Sequence, residues 1–390
     1  MLKRSGLWLA ICMLMFVHVA SAQTETPDTF PLVVKCLGTP TLPPKGWTYP
    51  GMILMSGYAG IHAVQADWDT PHVVAQFTID QQGNVPINGG QLSPDGNWYA
   101  TPIGEIYYEE TFNDFWIVRG LKIYGLSGNN KTITLDLMNY PNSLSGQSAW
   151  GFSPVTWQDN QSLTVGELLI HPFEPTIMHS ETSKTDVFTQ PRVISPDLSR
   201  GYQSYNDNSG FHWNIYDLTH SKRLTDIDRL NHISWRRDSS GFMAQMQQPD
   251  QDWHGLAYFD RDGKLIDHVL QFDANPYAVD HIVSGRSESQ WSPDSRYYGF
   301  VLDPYNVSKT LYLVDTQTRQ VDTCLRALTQ PVWSPDGTMF AYLTNAPQNL
   351  YLIVVDTKTW KSYVVARQSG ARGWFGTPEM VGWRSTTETQ

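Results

Sequence analysis

The stretch "PVWSPDGTMFAYLT" (331–344) restates, forty-two residues on, the pattern of "QWSPDSRYYGFVLD" (290–303). Further copies lie to the N-terminal side: "LSPDGNWYA" (92–100), "FSPVTWQDNQSLTVG" (152–166), "ISPDLSRGYQS" (194–204) and "WRRDSSGFMAQ" (235–245). A last fragment, "VGWRS" (381–385), lies to the C-terminal side. The large residue opening each copy falls at Leu92, Phe152, Ile194, Trp235, Trp291, Trp333 and Trp383, with gaps of 60, 42, 41, 56, 42 and 50 residues. Within the phrase, proline presets φ for the second turn position, aspartate can accept from nearby backbone N–H groups, and glycine frees the exit. The aspartates Asp95, Asp197, Asp238, Asp294 and Asp336 are therefore read as turn residues rather than catalytic ones, and Trp235, Trp291, Trp333 and Trp383 as structural.

Each turn is followed by β-rich runs, as in "TMFAYLT", "LYLIVVDTKTW" and "SYVVA" of the last full copy. Stops such as "DTKT", "DTQT", "DLTH" and "DRDG" read as hairpins between third and fourth strands. Runs such as "LYLIVV" are apolar on both sides, as expected for a strand buried between two sheets. The shorter gaps match the length of a four-stranded propeller blade. The expected fold is thus all-β, a seven-bladed β-propeller of four-stranded blades. "EMVGWRS" (379–385) supplies only one strand, and "GMILMSGYAGIHAVQADWDTPHVVAQF" (51–77) has three strands with no turn phrase before them. The tail is expected to complete the N-terminal blade and close the ring, hiding two sheet edges. An eighth blade would need 30–56 to supply a strand pair of its own.

Residues 1–22 have a basic start (Lys3, Arg4), an apolar run from Leu7 to Val19 and the small residues Ala20-Ser21-Ala22. They read as a secretory signal, cut before Gln23. The domain expectation is a signal at 1–22, an N-terminal extension at 23–50, the propeller at 51–385 and a tail at 386–390. The mature protein is expected outside the cytoplasm, secreted or periplasmic, as a monomer with no membrane insertion after cleavage and no cofactor. Net charge is −11, and loss of Lys3 and Arg4 makes it more acidic still. Such a surface repels phosphate backbones, so nucleic acid is excluded as partner. Of the 3 cysteines, Cys36 and Cys324 survive export. In an oxidising compartment they would either form a disulfide or remain as two buried thiols.

The repeated "WSPDG" followed by "LYLVDT" resembles the TolB-type propeller repeat, a relative of WD-repeat blades also found in prolyl oligopeptidase propellers. The resemblance covers roughly residues 50–385, is strongest over 289–366, and implies architecture rather than function. TolB carries an α/β domain ahead of its propeller, for which the stretch before residue 51 leaves no room. Its colicin and lipoprotein partners are therefore not carried over. The peptidase relatives need a G-x-S-x-G elbow, and "GQSAWG" (146–151) lacks the second glycine in place. Sialidase turns (S-x-D-x-G-x-T-W) are also not matched. No family functional residue maps onto the chain.

In a propeller the Ser-Pro-Asp turns and Asp-Thr hairpins share one rim, here called lower. The connections between second and third strands, and between blades, share the upper rim. On the upper rim "TPIGEIYYEETFNDFW" (101–116), "YQSYNDNSGFHW" (202–213), "QQPDQDWHG" (247–255) and "LDPYNVSK" (302–309) read as aromatic and acidic loops. Tyr and Trp suit wet binding surfaces because they join apolar area to a polar handle. Tyr107, Phe112, Trp116, Tyr205, His212, Trp253 and Tyr305 are the candidate contacts for a protein or carbohydrate ligand. Each could instead pack its own loop. The alternative is an enzyme, hydrolase or lyase, with carboxylate–histidine pairs in "DWHG" (252–255) and "VDHI" (279–282) meeting at the channel mouth. The spacing of eight in His171/His179 and His212/His220 has no metal geometry of its own.

Overall fold

The computed structural model describes residues 29–385 apart from 37–38, 58–59, 66–71, 78–89, 110–111, 127–130, 138–154, 166–167, 175, 180–190, 208–209, 228–229, 249–252, 273–289, 303–308, 347–348 and 370–378. The stretch read as a signal, 1–22, lies outside these residues. Among them no helix is long and apolar enough to cross a membrane.

The chain is an all-β propeller in which the described strands form seven four-stranded sheets. Strand β1 (Leu32–Cys36) is followed by β2 (Met52–Gly57), β3 (Gly60–Gln65) and β4 (His72–Phe77) of the first sheet. The second sheet holds β5 (Gln91–Leu92), β6 (Trp98–Glu109), β7 (Phe112–Gly125) and β8 (Thr132–Asp136). The third holds β9 (Val155–Trp157), β10 (Leu163–Val165), β11 (Leu168–His171) and β12 (Thr176–His179). The fourth holds β13 (Pro191–Ile194), β14 (Arg200–Asp207), β15 (Gly210–Asp217) and β16 (Lys222–Ile227). In the fifth are β17 (Leu230–Trp235), β18 (Gly241–Gln248), β19 (Trp253–Asp260) and β20 (Leu265–Gln271). The sixth contains β21 (Tyr297–Leu302), β22 (Thr310–Asp315) and β23 (Gln320–Arg326). The seventh has β24 (Val332–Trp333), β25 (Met339–Ala346), β26 (Asn349–Asp356) and β27 (Lys361–Ser369). The final strand β28 (Glu379–Arg384) joins β2, with Ile53 opposite Trp383. The tail thereby completes the first sheet.

Within each sheet burial falls from the axis outward: β21 is buried along its whole length, whereas the outermost β8 alternates exposed and half-buried. Six apolar clusters join neighbouring sheets. Leu54 of the first meets Tyr99 and Tyr124 of the second, and Leu121 and Ile123 of the second meet Val155 and Trp157 of the third. Clusters also join fourth to fifth, fifth to sixth, sixth to seventh, and seventh back to first through Leu343, Val354, Ile53 and Trp383. No such cluster joins third to fourth among the described residues. There Thr164 and Leu169 stay half-buried. Because Trp213 and Ile215 pack toward the fifth sheet, alternation along the strand turns Asn214 toward the third. Asn214 is wholly buried, and neither atom of its amide has a hydrogen-bond partner.

The tryptophans of the innermost strands explain their own repetition. Trp157 donates its indole N–H to the Gln91 carbonyl (3.1 Å), Trp291 to Ser234 (3.1 Å) and Trp333 to Gln290 (3.3 Å). Each bond ties one innermost segment to that of the preceding sheet. At closure Trp383 turns instead to the Pro50 carbonyl (2.5 Å). Trp235 Nε1 is buried without a partner, and Ile194 has no side-chain N–H to offer. In the third sheet the opening residue is Trp157 rather than Phe152, which lies outside the described residues. "WQDNQS" forms its turn, with Asp159 Oδ1 accepting from Gln161 N (2.7 Å) and Ser162 N (2.6 Å). Proline in "FSPV" drew the sequence reading five positions too early.

The segment read as an N-terminal extension is part of the sheet system. It does not form a strand pair of its own: β1 lies parallel to β23 on the outer edge of the sixth sheet. Trp291 bridges Tyr298 on the inner edge of that sheet. Before β1, Phe30 N donates to Val269 O of the fifth sheet (3.2 Å), and the Arg319 guanidinium sits 5.0 Å over its ring. After β1, Thr41 N donates to Ser362 O (3.1 Å), and Val364 N donates to Thr41 O (2.9 Å), both on the seventh sheet. Trp47 then packs on Tyr363 (4.6 Å) and Tyr49 on Trp383 (5.2 Å). The Tyr49 hydroxyl donates to Val64 O (2.8 Å), and burial pushes its pKa up. The described residues of 30–49 thus form a belt over the outside of the fifth, sixth and seventh sheets and across the closing seam.

Candidate functional site

The lower rim is built from the repeated turns, and its polar groups serve each other. In the seventh sheet Ser334 Oγ donates to Asp336 Oδ1 (2.6 Å), which also accepts from Thr338 N (3.1 Å). Met339 N closes the turn by donating to Ser334 Oγ (2.9 Å). Asp95, Asp197 and Asp294 accept from Ser93, Ser195 and Ser292 in the same way (2.5, 2.7 and 2.6 Å). Asp238, which lacks that serine, accepts from Arg236 and Ser240 instead. For Asp336 burial alone would raise the carboxyl pKa. The bonds from Ser334 and Thr338 outweigh it and hold the group below the usual carboxylate range. The glycine position of the phrase has φ of 72° and 70° at Gly96 and Gly337. Leu198, Ser239 and Ser295 hold the same left-handed conformation with φ of 56–58° despite their side chains.

Charged groups of this rim also link neighbouring sheets. Arg261 reaches Asp197 (3.3 Å) and Arg200 reaches Asp262 (2.8 Å), lacing fourth to fifth. Arg319 reaches Asp267 (2.6 Å) between sixth and fifth. Asn160 Oδ1 accepts from Asp95 N (2.9 Å) between third and second. His220 caps its own turn with Nδ1 3.1 Å from Asp217 Oδ2. Sequence reading missed these arginines, since their partners lie more than fifty positions away and no local pattern marks them.

The upper rim differs. Of the runs read there as loops, 101–116 and 202–213 are largely strand, whereas 249–252 and 303–308 lie outside the described residues. "TPIGEIYYEETFNDFW" forms most of β6 and the start of β7, with Ile106 opposite Trp116, Tyr107 opposite Phe115 and Glu109 opposite Phe112. The hairpins of the fourth, fifth and seventh sheets have strands of 8 residues, whereas β6 has 12 and β7 has 14. At a rise of about 3.3 Å per residue, four extra residues carry this hairpin about 13 Å past its counterparts. Residues 104–118 contain four acids and no lysine or arginine.

The candidate contacts fall into three groups. Tyr107, Phe112 and Trp116 share this one hairpin. Tyr205 and His212 oppose each other in β14 and β15, two sheets away, with His212 half-buried. The side chains of Tyr107, Phe112, Trp116 and Tyr205, and all of Tyr305, lie outside the described residues. Trp253 is a correction. It is 1% exposed, within the cluster of Trp235, Phe242 and Met246, and its ring lies 4.4 Å from that of His268. The turn residues of "QQPDQDWHG" suggested a loop, but β19 begins at Trp253 and turns that side chain inward. It is core, not contact.

The next residue, His254, is half-buried on the other face. Its Nε2 lies 2.7 Å from Gln245 Nε2, and its ring meets Phe272 edge-on at 5.4 Å. Asp252 and the "VDHI" (279–282) pair lie outside the described residues. Among the described residues no three His, Cys, Asp or Glu side chains gather as a metal site.

No family model matches the chain, and no curated protein does. Solved structures that resemble it include TolB from Acinetobacter baumannii, at 13% identity and a TM-score of 0.40, covering 85% of this chain and 67% of that one. An oligogalacturonate lyase in complex with manganese matches at 14% and 0.46, covering 85% and 89%. The periplasmic gluconolactonase PpgL of Pseudomonas aeruginosa matches at 12% and 0.44, covering 85% and 98%. All three likenesses are of overall fold.

Proposed function

We propose that the chain is an exported, seven-bladed binding module, each four-stranded sheet being one blade, that presents its upper rim to a protein or glycan-like ligand. The observation that carries this reading is the asymmetry of the two rims. Lower-rim carboxylates are bonded within their turns and to arginines of neighbouring sheets. The upper rim carries a hairpin about 13 Å longer than its counterparts, with five aromatic residues within 107–116. A two-stranded ribbon extending past its sheet has few neighbours of its own to bury such residues. Function sits readily on segments that a rigid scaffold holds out. Secretory features of residues 1–22 support a place outside the cytoplasm, and the single closed ring supports a monomer.

The test replaces residues 106–116 with an Asn-Gly turn between the register partners Glu105 and Ile117, so that β6 ends level with the other hairpins. Parent and shortened protein, matched for circular dichroism and melting temperature, are applied to glycan and tiled-peptide arrays. Signals should be lost from the shortened protein and weakened by Trp116→Ala. An identical set of captured spots from all three proteins would remove the rim hairpin from the site.

A further inference from the structure

We propose that the belt of residues 30–49 is fastened by a disulfide between Cys36 and Cys324, and that this bond is a redox latch controlling access to the outer edge of β23. Cys324 is disulfide-bonded and 2% exposed. Its register partner across the parallel pair is Cys36. The inference rests on the proposed export for one point: with residues 1–22 removed as a signal, Cys12 leaves with them and Cys36 is the remaining cysteine. Closing the latch joins the two sulfurs as the thiols give up two protons and two electrons to a disulfide-exchange oxidant. A dithiol or phosphine reductant reverses it.

Apart from that bond the belt is anchored at its two ends, by Phe30 and Tyr49, both 4% exposed. Its backbone is tied by Phe30 N to Val269 O, Val321 N to Pro31 O and the Thr41 pair with the seventh sheet. Leu32 and Leu42 are 55% and 77% exposed, so part of its apolar surface contributes nothing to holding it down. What it covers is substantial: Val33 lies opposite Asp322, which is fully buried. Release of the belt would hydrate that carboxylate and leave β23 with an unpaired edge, the kind of edge that adds a further strand. The inference is independent of any ligand at the upper rim.

Non-reducing peptide mapping of the mature protein should yield a linked Cys36–Cys324 pair. Hydrogen exchange is then compared with and without a phosphine reductant. Reduction should speed exchange of amides 30–36 and 320–326 at least tenfold while those of β14 and β15 stay unchanged. It should also lower the melting temperature by roughly 5 °C. Cys36→Ser should reproduce this state without reductant. A Cys324 found free or linked elsewhere would overturn the assignment. Full protection of β23 in the reduced protein or in Cys36→Ser would overturn the latch.

Discussion

The seam between the seventh and first sheets and the seam between the third and fourth stand at opposite extremes. The first is where the chain closes on itself, and every available device converges there. Trp383 bonds the Pro50 carbonyl, Tyr49 and Trp47 pack over the junction, and the belt crosses it from outside. The second is continuous in sequence. It has no apolar cluster among the described residues, an Ile194 where five other sheets place tryptophan, and an Asn214 side chain without a partner. A ring that is closed by a non-local strand must form that contact against loop-closure entropy. Interactions are concentrated where the chain does not itself hold the two sides together. Among the described residues the other sequence-continuous seams all carry an apolar cluster, so continuity permits the weak packing between third and fourth without requiring it.

The contrast can be broken at its strong end. Trp333→Ala removes a buried ring and the bond to Gln290, and should cost about 4 kcal/mol in chemical denaturation. A cost near 1 kcal/mol would mean that the innermost tryptophans are not what joins the sheets. Gly51 has φ of 81°, and a Cβ there would run into the Arg384 carbonyl of the closing strand. Gly51→Ala should cost about 3 kcal/mol and free the C-terminal strand to proteolysis first. Survival of that strand with global stability lowered would separate closure from overall folding.

Acid probes the carboxylates. At Asp315 and Asp217 burial pushes the pKa up. Bonds outweigh it at both: at Asp315 from Arg296 and the Thr318 and Gln317 amides, at Asp217 from His220 and the charge of Arg200. Both are held low. Carboxylates lowered by folding stabilise above their unfolded value, near pH 4, and that contribution is lost as pH falls through the folded values. Stability should therefore drop by about 2 kcal/mol between pH 4 and pH 2, measured by urea midpoint. Asp315→Asn should flatten the slope, and an unchanged slope would assign the acid sensitivity elsewhere.

At the weak end the signs reverse. Asn214→Leu exchanges an unsatisfied buried amide for an apolar group of similar size, and should gain about 1 kcal/mol. A loss would show that the amide is satisfied by something seated in that seam. Leu198→Gly relieves a left-handed leucine that is 39% exposed, and should add about 0.5 kcal/mol by thermal melt.

Much of this architecture could be read before any coordinates. The Ser-Pro-Asp phrase marks its turns because the bonds holding them are local, spanning two to five residues. The lone strand at 379–385 follows from counting. Misreadings arose where a local signal competed with a distant partner. Proline at 154 outweighed Trp157, whose role depends on Gln91 across the seam. Turn residues 249–252 hid that Trp253 opens a buried strand. β1 carries no periodic mark, since it pairs in parallel at one edge with a segment almost 290 residues away. Aromatic and acidic alternation in 101–116 looked like a loop because a ribbon extending past its sheet has no inward face to keep apolar. Of the proposed contacts, the hairpin grouping is set by sequence neighbourhood and was readable. The inward turn of Trp253 was not.

The indole-to-carbonyl bonds also bear on the bore of the molecule. Where they span adjacent innermost segments, at 3.1–3.3 Å, they fix how far apart those segments stand. Around Leu92, Ile194 and Trp235 that constraint is missing. The protein is gauged along part of its circumference and left ungauged along the rest, like a split washer.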